Sequence, residues 1–340
     1  MGGAQEEKPP EIPEDLKTLN DYFVSQPEPL RETLTIQLVM ARNVLDYMVL
    51  RTEDTRELNT AATPLSVDNP EAALRVVFLG GKQKAAETRK LGEILRTANR
   101  VNKRDPPVCF LKDKLCMHCP RCALFGAVTV KGGNQDMNFK HRIEYSSAFS
   151  LLPYEDIEES LTFNATDEAT TRVGQALGET PSVAPANIFP SIVTLNTVTW
   201  KEFVLAVKTL LATKSYGAEG RTKGDAHNVI LGIVAGWEEI ISPLELTLEL
   251  YKVYDDKKDI DSAAVYSILN SYKKKSAFVN KVTVLDTEQV SNICRAIQEF
   301  ELTKGFLNEA YTDVETFLNK ATALDKPQSV SASPKVRKGK

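Results

Sequence analysis

Residues 189–211 read FPSIVTLNTVTWKEFVLAVKTLL. Ile192 to Val198 is an apolar, β-branched run and reads as a buried strand. Thr199 then stands three residues before Glu202, the T-x-x-E pattern of a capping box. Beyond it Trp200, Phe203, Val204, Val207, Leu210 and Leu211 recur at helical spacing and share one face. The helix stops at the glycine-rich loop YGAEGRTKG, residues 216–224. NVILGIVAG (228–236) follows as a second buried strand. Ser242, Pro243 and Glu245 repeat the N-cap pattern, with proline at the first helical position. Helices are then expected over roughly 243–254, 261–273, 286–302 and 304–324. Upstream, TLTIQLVMAR (33–42) reads as a strand, NVLDYMVLR (43–51) as its continuation or a second strand, and LRVVFLG (74–80) as another. A helical stretch follows, with Leu91, Ile94 and Leu95 in phase, and AVTVKGG (127–133) resembles a strand ending in a turn. Strands, helix and strands followed by a helical group predict an α+β fold rather than a regular βαβ sheet.

Residues 150–191 break the pattern. FNATDEATTRVGQALGETPSVAPANIFP (163–190) is polar, rich in Thr, Ala, Gly and Pro, and without a clear period. An inserted, partly β loop with a functional role is expected there. The division expected is a flexible lead over 1–25, one elaborated domain over 26–325 and a disordered basic tail over 326–340. Its inserts are 80–140 (basic and metal-binding), 150–191 and 240–325 (helical).

The chain of 340 residues can bury a large core. No run of about 18 apolar residues occurs, so no membrane-spanning helix is expected. The acidic, proline-containing start MGGAQEEKPPEIPEDL has neither the basic opening nor the apolar stretch of a secretory signal, and Glu6 stands where a myristoylation motif needs Ser or Thr. A cytoplasmic protein without membrane attachment is the expectation.

In such a compartment clustered cysteines point to metal or catalysis rather than disulfides. Cys116, Cys119 and Cys122 lie at C-x-x-C spacing in VCFLKDKLCMHCPRCALFGA (108–127), and Cys109 lies seven residues upstream. Tight turns bring the three to one ion. The fourth ligand is open among Cys109, His118 and His141, with Cys109 preferred because its pairing folds a small loop back on itself. A closed zinc site of this kind is structural. An iron–sulfur cluster would also need Cys109, since no cysteine follows Cys122 at the ferredoxin spacing. Cys294 shares an apolar helix face with Val290, Ile293 and Ile297 and reads as core.

The formal net charge is −4, yet from Lys82 to Arg104 eight basic residues face only Glu87 and Glu93. That run either follows a nucleic-acid backbone or is a solvated helix face. In the loop, Gly217, Gly220 and Gly224 let amides approach phosphate while Arg221 and Lys223 supply charge. A solvated turn explains them equally. Tyr216 either stacks on a base or packs at the helix end. Arg42, Arg51 and Arg56 flank early strands and gain interest only if those strands present a sheet surface to RNA. No G-x-S-x-G or H-E-x-x-H motif is present.

Together CMHCPRCALFGA, FPSIVTLNTVTW and YGAEGRTKGDAHNVILGIV resemble the type I-D CRISPR backbone subunits (Csc-two, in the Cas-seven family of the RNA-recognition-motif-like superfamily), over about 30 to 330. The resemblance implies an RNA-recognition-motif (ferredoxin-like) core with zinc-binding, thumb or lid, and helical insertions. It implies a non-catalytic protein whose copies polymerise along one CRISPR RNA beside other effector subunits and present the guide to target DNA. On that basis 155–190 would be the thumb or lid, with Phe163 or Arg172 as wedge. The loop from Tyr216 to Gly224 would cradle phosphate, and Lys82 and Lys84 would line the RNA groove with the early-strand arginines. Two other readings are an endoribonuclease of the same superfamily, with His227 or His141 as base, and an iron–sulfur redox protein.

Overall fold

Along Thr35–Val44 (β1) successive side chains alternate between two apolar environments, so the strand is buried on both sides. The computed structural model describes residues 10–51, 56–111, 114–129, 137–166, 173–217, 223–255 and 259–325. After β1 come β2 (Thr60–Pro64), β3 (Ala72–Phe78), α1 (Gly80–Val101), α2 (Pro120–Phe125), β4 (Ala127–Thr129), β5 (Met137–Phe139), β6 (Ile143–Tyr145) and β7 (Ala148–Phe149). Next are α3 (Tyr154–Ile157), β8 (Glu158–Thr166), β9 (Val173–Val183), β10 (Ile188–Asn196), α4 (Trp200–Ala212) and β11 (Ala226–Gly236). The chain ends with α5 (Pro243–Val253), α6 (Ser262–Lys273), β12 (Thr283–Val284), α7 (Thr287–Glu299) and α8 (Lys304–Asp325).

The central sheet has the order β12-β11-β1-β10-β6, with every neighbouring pair antiparallel. Ile36, Leu38 and Met40 of β1 face Leu91 and Leu95 of α1, Phe203 and Val207 of α4, and Ile293 of α7. Val39 and Ala41 face the opposite way, towards Leu246 and Leu250 of α5 and Val265 and Leu269 of α6. Full burial of each such side chain contributes about 1.5–3 kcal/mol. Glycine at 232 permits the close approach of α6: a Cβ there would lie 2.8 Å from Cδ1 of Leu269. Both expected capping boxes form, Thr199 with Glu202 and Ser242 with Glu245. A third, Asp286 with Gln289, starts α7.

Two expectations change. Residues 45–51 neither continue β1 nor form a second strand. Met48, Val49 and Leu50 are buried in succession, as in a segment threaded through a core rather than an alternating strand. The lead is not wholly flexible: a 3-10 helix, Glu14–Tyr22, buries Leu16 and Leu19 completely, and the Tyr22 hydroxyl lies 2.6 Å from that of Thr283. The aperiodic insert is partly β, as expected: β8 and β9 form an antiparallel hairpin, paired from Glu158–Val183 to Thr166–Val173 with irregularities beside Asn164. Its sequence, rich in Thr, Ala, Gly and Pro, offers no apolar alternation to read. Among the described residues no helix is long and apolar enough to cross a membrane.

Candidate nucleic-acid interface and metal centre

One apolar cluster gathers the segments singled out in the sequence. Met48 and Leu50 follow β1, Phe78 ends β3, Ala86 lies in α1, Ile157 and Val183 close the base of the hairpin, and Tyr216 and Ala226 flank the glycine loop. Backbone bonds tie the same pieces. Leu45 N–H donates to Asp225 O at 2.7 Å, and Met48 and Val183 exchange bonds of 3.0 and 2.9 Å. The Tyr47 hydroxyl donates to Glu159 of β8 at 2.6 Å. The loop, the post-β1 segment and the hairpin base therefore form one surface feature over a common core.

Arg42 is not on that surface. It is fully buried, in place of the RNA contact expected of it. Its Nη1 donates to Glu87 Oε1 at 2.6 Å, to the Tyr216 hydroxyl at 2.9 Å and to Asn228 Oδ1 at 3.2 Å. Burial alone would lower its pKa, but the Glu87 carboxylate more than offsets that and raises it. Tyr216 is also buried, donating to Glu87 at 2.7 Å, with its ring edge-on to Phe78 at 5.3 Å. Burial pushes its phenol up, and it packs rather than presenting a ring to a base.

The network anchors the loop whose tip it does not form. Ser215 bridges to Asp225, and Tyr216 N–H donates to Gly224 O at 3.1 Å. Gly224 has φ +58°, and a Cβ there would sit 2.2 Å from Tyr216 O, so the turn requires glycine. Gly217 is exposed, and Lys223 is exposed and paired with Asp225 at 2.8 Å. Such a surface pair is worth about 0–1 kcal/mol, weak enough to yield Lys223 to a phosphate. Arg221 and Gly220 lie outside the described residues, as does Arg172. Phe163 lies in β8.

Arg56 is exposed, and Arg51 and Lys82 are partly exposed. Lys84 belongs to a second group beside β6. Its pKa is lowered by partial burial, with Glu144 and Arg31 as its charged neighbours. Arg31 donates to Glu144 Oε1 at 2.5 Å and to the His141 carbonyl. His141 Nε2 lies 3.8 Å from Glu144 Oε1, and its pKa is lowered by burial and then by Lys84. Sequence reasoning missed Arg31 and Lys140; the run Lys140-His141-Arg142 was the available signal. His227 is exposed on β11.

The cysteines converge. The Sγ atoms of Cys109, Cys116, Cys119 and Cys122 all lie within 4.8 Å of one another, and Cys109 Sγ is 3.5 Å from Cys122 Sγ and 3.6 Å from Cys119 Sγ. Four thiolates at about 2.3 Å from a tetrahedral ion stand roughly 3.8 Å apart, so the quartet fits a metal and neither His118 nor His141 joins it. Met117 at φ +62° makes the knuckle, and N–H groups of Cys116 and His118 donate to Cys109 Sγ (3.3 Å) and Cys116 Sγ (3.4 Å). Arg121 Nη2 donates to Cys109 Sγ at 2.8 Å. Bonds from Cys116, then Cys119 and Cys122, hold the Cys109 thiol far below its ordinary range. The knuckle packs on Tyr311, Val314 and Phe317 of α8. Cys294 packs against the main core, and burial pushes its thiol up to about 11.

A family model described as Csc2 Crispr matches residues 22–310. Among solved structures, the chain is similar to the crystal structure of Thermofilum pendens Csc2, at 18% identity and a TM-score of 0.65, over 92% of this chain and 97% of that one. A chain of a "CRISPR RNA-guided surveillance complex" aligns at 14% identity and a TM-score of 0.44, over 83% and 100% of the two chains. One of a "CRISPR RNA-guided surveillance complex, pre-nicking" aligns at 11% and 0.45, over 71% and 88%. No curated protein sequence matches the chain.

Proposed function

The chain belongs to the Csc2 CRISPR family, and from that premise we propose that it is a non-catalytic subunit that binds CRISPR RNA in a type I-D surveillance complex. Copies arrange head to tail along the guide and present it to target DNA beside other effector subunits. The unit β1-α1-β6-β10-α4-β11, with strand order β11-β1-β10-β6 and both helices on one face, supports an RNA-recognition-motif-like core. The β8–β9 hairpin is the thumb or lid, and the cysteine quartet is a structural zinc site, since four thiolates leave no open coordination position.

The observation that carries the reading is the shared platform: glycine loop, post-β1 segment and hairpin base on one apolar cluster, with Arg51, Arg56, Lys82 and Lys223, each at least partly exposed, within four residues in sequence of its members Leu50, Leu58, Ala86 and Ala226. A surface that grips a nucleic-acid backbone needs several exposed cations within reach of successive phosphates. An overall acidic charge is compatible with this, because head-to-tail protomers meet through unlike faces.

His141 beside Glu144, Arg31 and Lys84 is the arrangement that favours the endoribonuclease alternative. Prolonged incubation of labelled RNA with the purified protein, with and without magnesium, separates the two. Intact RNA is expected in both; cleavage abolished by His141→Ala would replace the binding reading with the enzymatic one.

A further inference from the structure

We propose that the cavity between α1 and the cysteine loop is a binding site for a nucleoside phosphate. It has a volume of about 520 Å³, within the roughly 300–1,000 Å³ of small-molecule sites. Four arginines line it, Arg96, Arg100, Arg104 and Arg121, and no Asp or Glu is among the described lining residues. Arg121 is committed to Cys109 Sγ. The other three are not neutralised. Arg104 is held by neutral partners: Nε donates to Asn308 Oδ1 at 2.8 Å, Nη1 to Asn99 Oδ1, and the guanidinium lies 4.5 Å from the Tyr311 ring centroid. Arg96 and Arg100 stand one turn apart on α1, exposed, with no ion-pair partner among the described residues. Like charges brought to one cavity repel, so an anion entering it relieves them. Planar guanidinium forks match phosphate oxygens.

The remaining wall selects what the phosphate is attached to. Pro106, Pro107, Val108 and Phe110 line the cavity, and Val108 and Phe110 are exposed in spite of being apolar. A bare inorganic ion or a hydrated acidic side chain gains nothing from that wall. A nucleobase stacked on Phe110 with its 5′-phosphate among the arginines uses both halves. The ligand is a nucleotide, either free or at the end of a strand. The site is separate from the platform around the glycine loop and does not depend on it.

Calorimetric titration with adenosine 5′-monophosphate tests the assignment. One nucleotide per chain is expected, with adenosine binding about tenfold or more weakly. Arg96→Gln/Arg100→Gln should lower nucleotide affinity about tenfold or more at unchanged circular dichroism and metal content. Lys82→Ala/Lys84→Ala should leave it within about twofold, which separates this site from the RNA surface. A 5′-phosphorylated trinucleotide that binds more tightly and loses affinity in the arginine variant identifies a strand end; dependence confined to the mononucleotide identifies the free ligand. No arginine-dependent binding of either nucleotide at millimolar concentration overturns the proposal. So does a hexaglutamate peptide that binds through the same arginines when the nucleotides do not, which makes the cavity an acidic-peptide site.

Discussion

Arg42 lies on the same face of β1 as Ile36, Leu38 and Met40, and its side chain ends 2.6 Å from Glu87 inside the protein. Removing one partner of a buried pair leaves the other charged and unpaired. Arg42→Met should therefore lower stability by about 3–5 kcal/mol, read from the denaturant midpoint. Adding Glu87→Met should restore part of the loss, because no uncompensated charge then remains. A single variant as stable as the parent would contradict the network. The two-residue period already placed Arg42 inward. The residue type pointed the other way, because a charged side chain is rarely buried without a partner and Glu87 lies 45 positions further on. Tyr216 shows the same limit: its packing role was legible as one of two options, but its partners were not. Cys109 was legible as the preferred fourth member of the cysteine cluster because the loop it closes is local.

Elements with strong local signals matched their expected places. The capped helices α4 and α5 begin where Thr199 and Ser242 predict, and α6 to α8 follow the expected ranges closely. Elements without an alternating apolar face were hard to read. β2 is one such, and the hairpin β8–β9 another; it pairs with itself and meets the body through Met48 and Tyr47. The cysteine knuckle couples local and distant structure, since α8 rests on it through Tyr311, Val314 and Phe317. Stripping metal with a chelator should raise amide hydrogen exchange in α2 and α8 while β1, β10 and β11 keep their protection. Exchange rising uniformly across the sheet would mean that the metal supports the whole fold, and unchanged exchange in α8 would mean that the knuckle braces nothing.

Taken whole, the molecule is a five-stranded sheet covered by helices on both faces, with a platform of irregular chain at one end of β1. Its exposed cations are spread over the platform, the β6 edge and the cavity beside α1, so the RNA binding proposed above comes from several weak phosphate contacts rather than one deep site. The central claim is that the platform grips sugar-phosphate chain without reading sequence. The direct test is fluorescence anisotropy of single-stranded RNA across a salt series, with the parent protein and with Lys82→Ala/Lys223→Ala. The account predicts sequence-tolerant binding whose logarithm falls linearly with the logarithm of salt. The double variant should show a slope shallower by about 1.4, the share of two phosphate contacts on a single strand. An unchanged slope and affinity in that variant would contradict it.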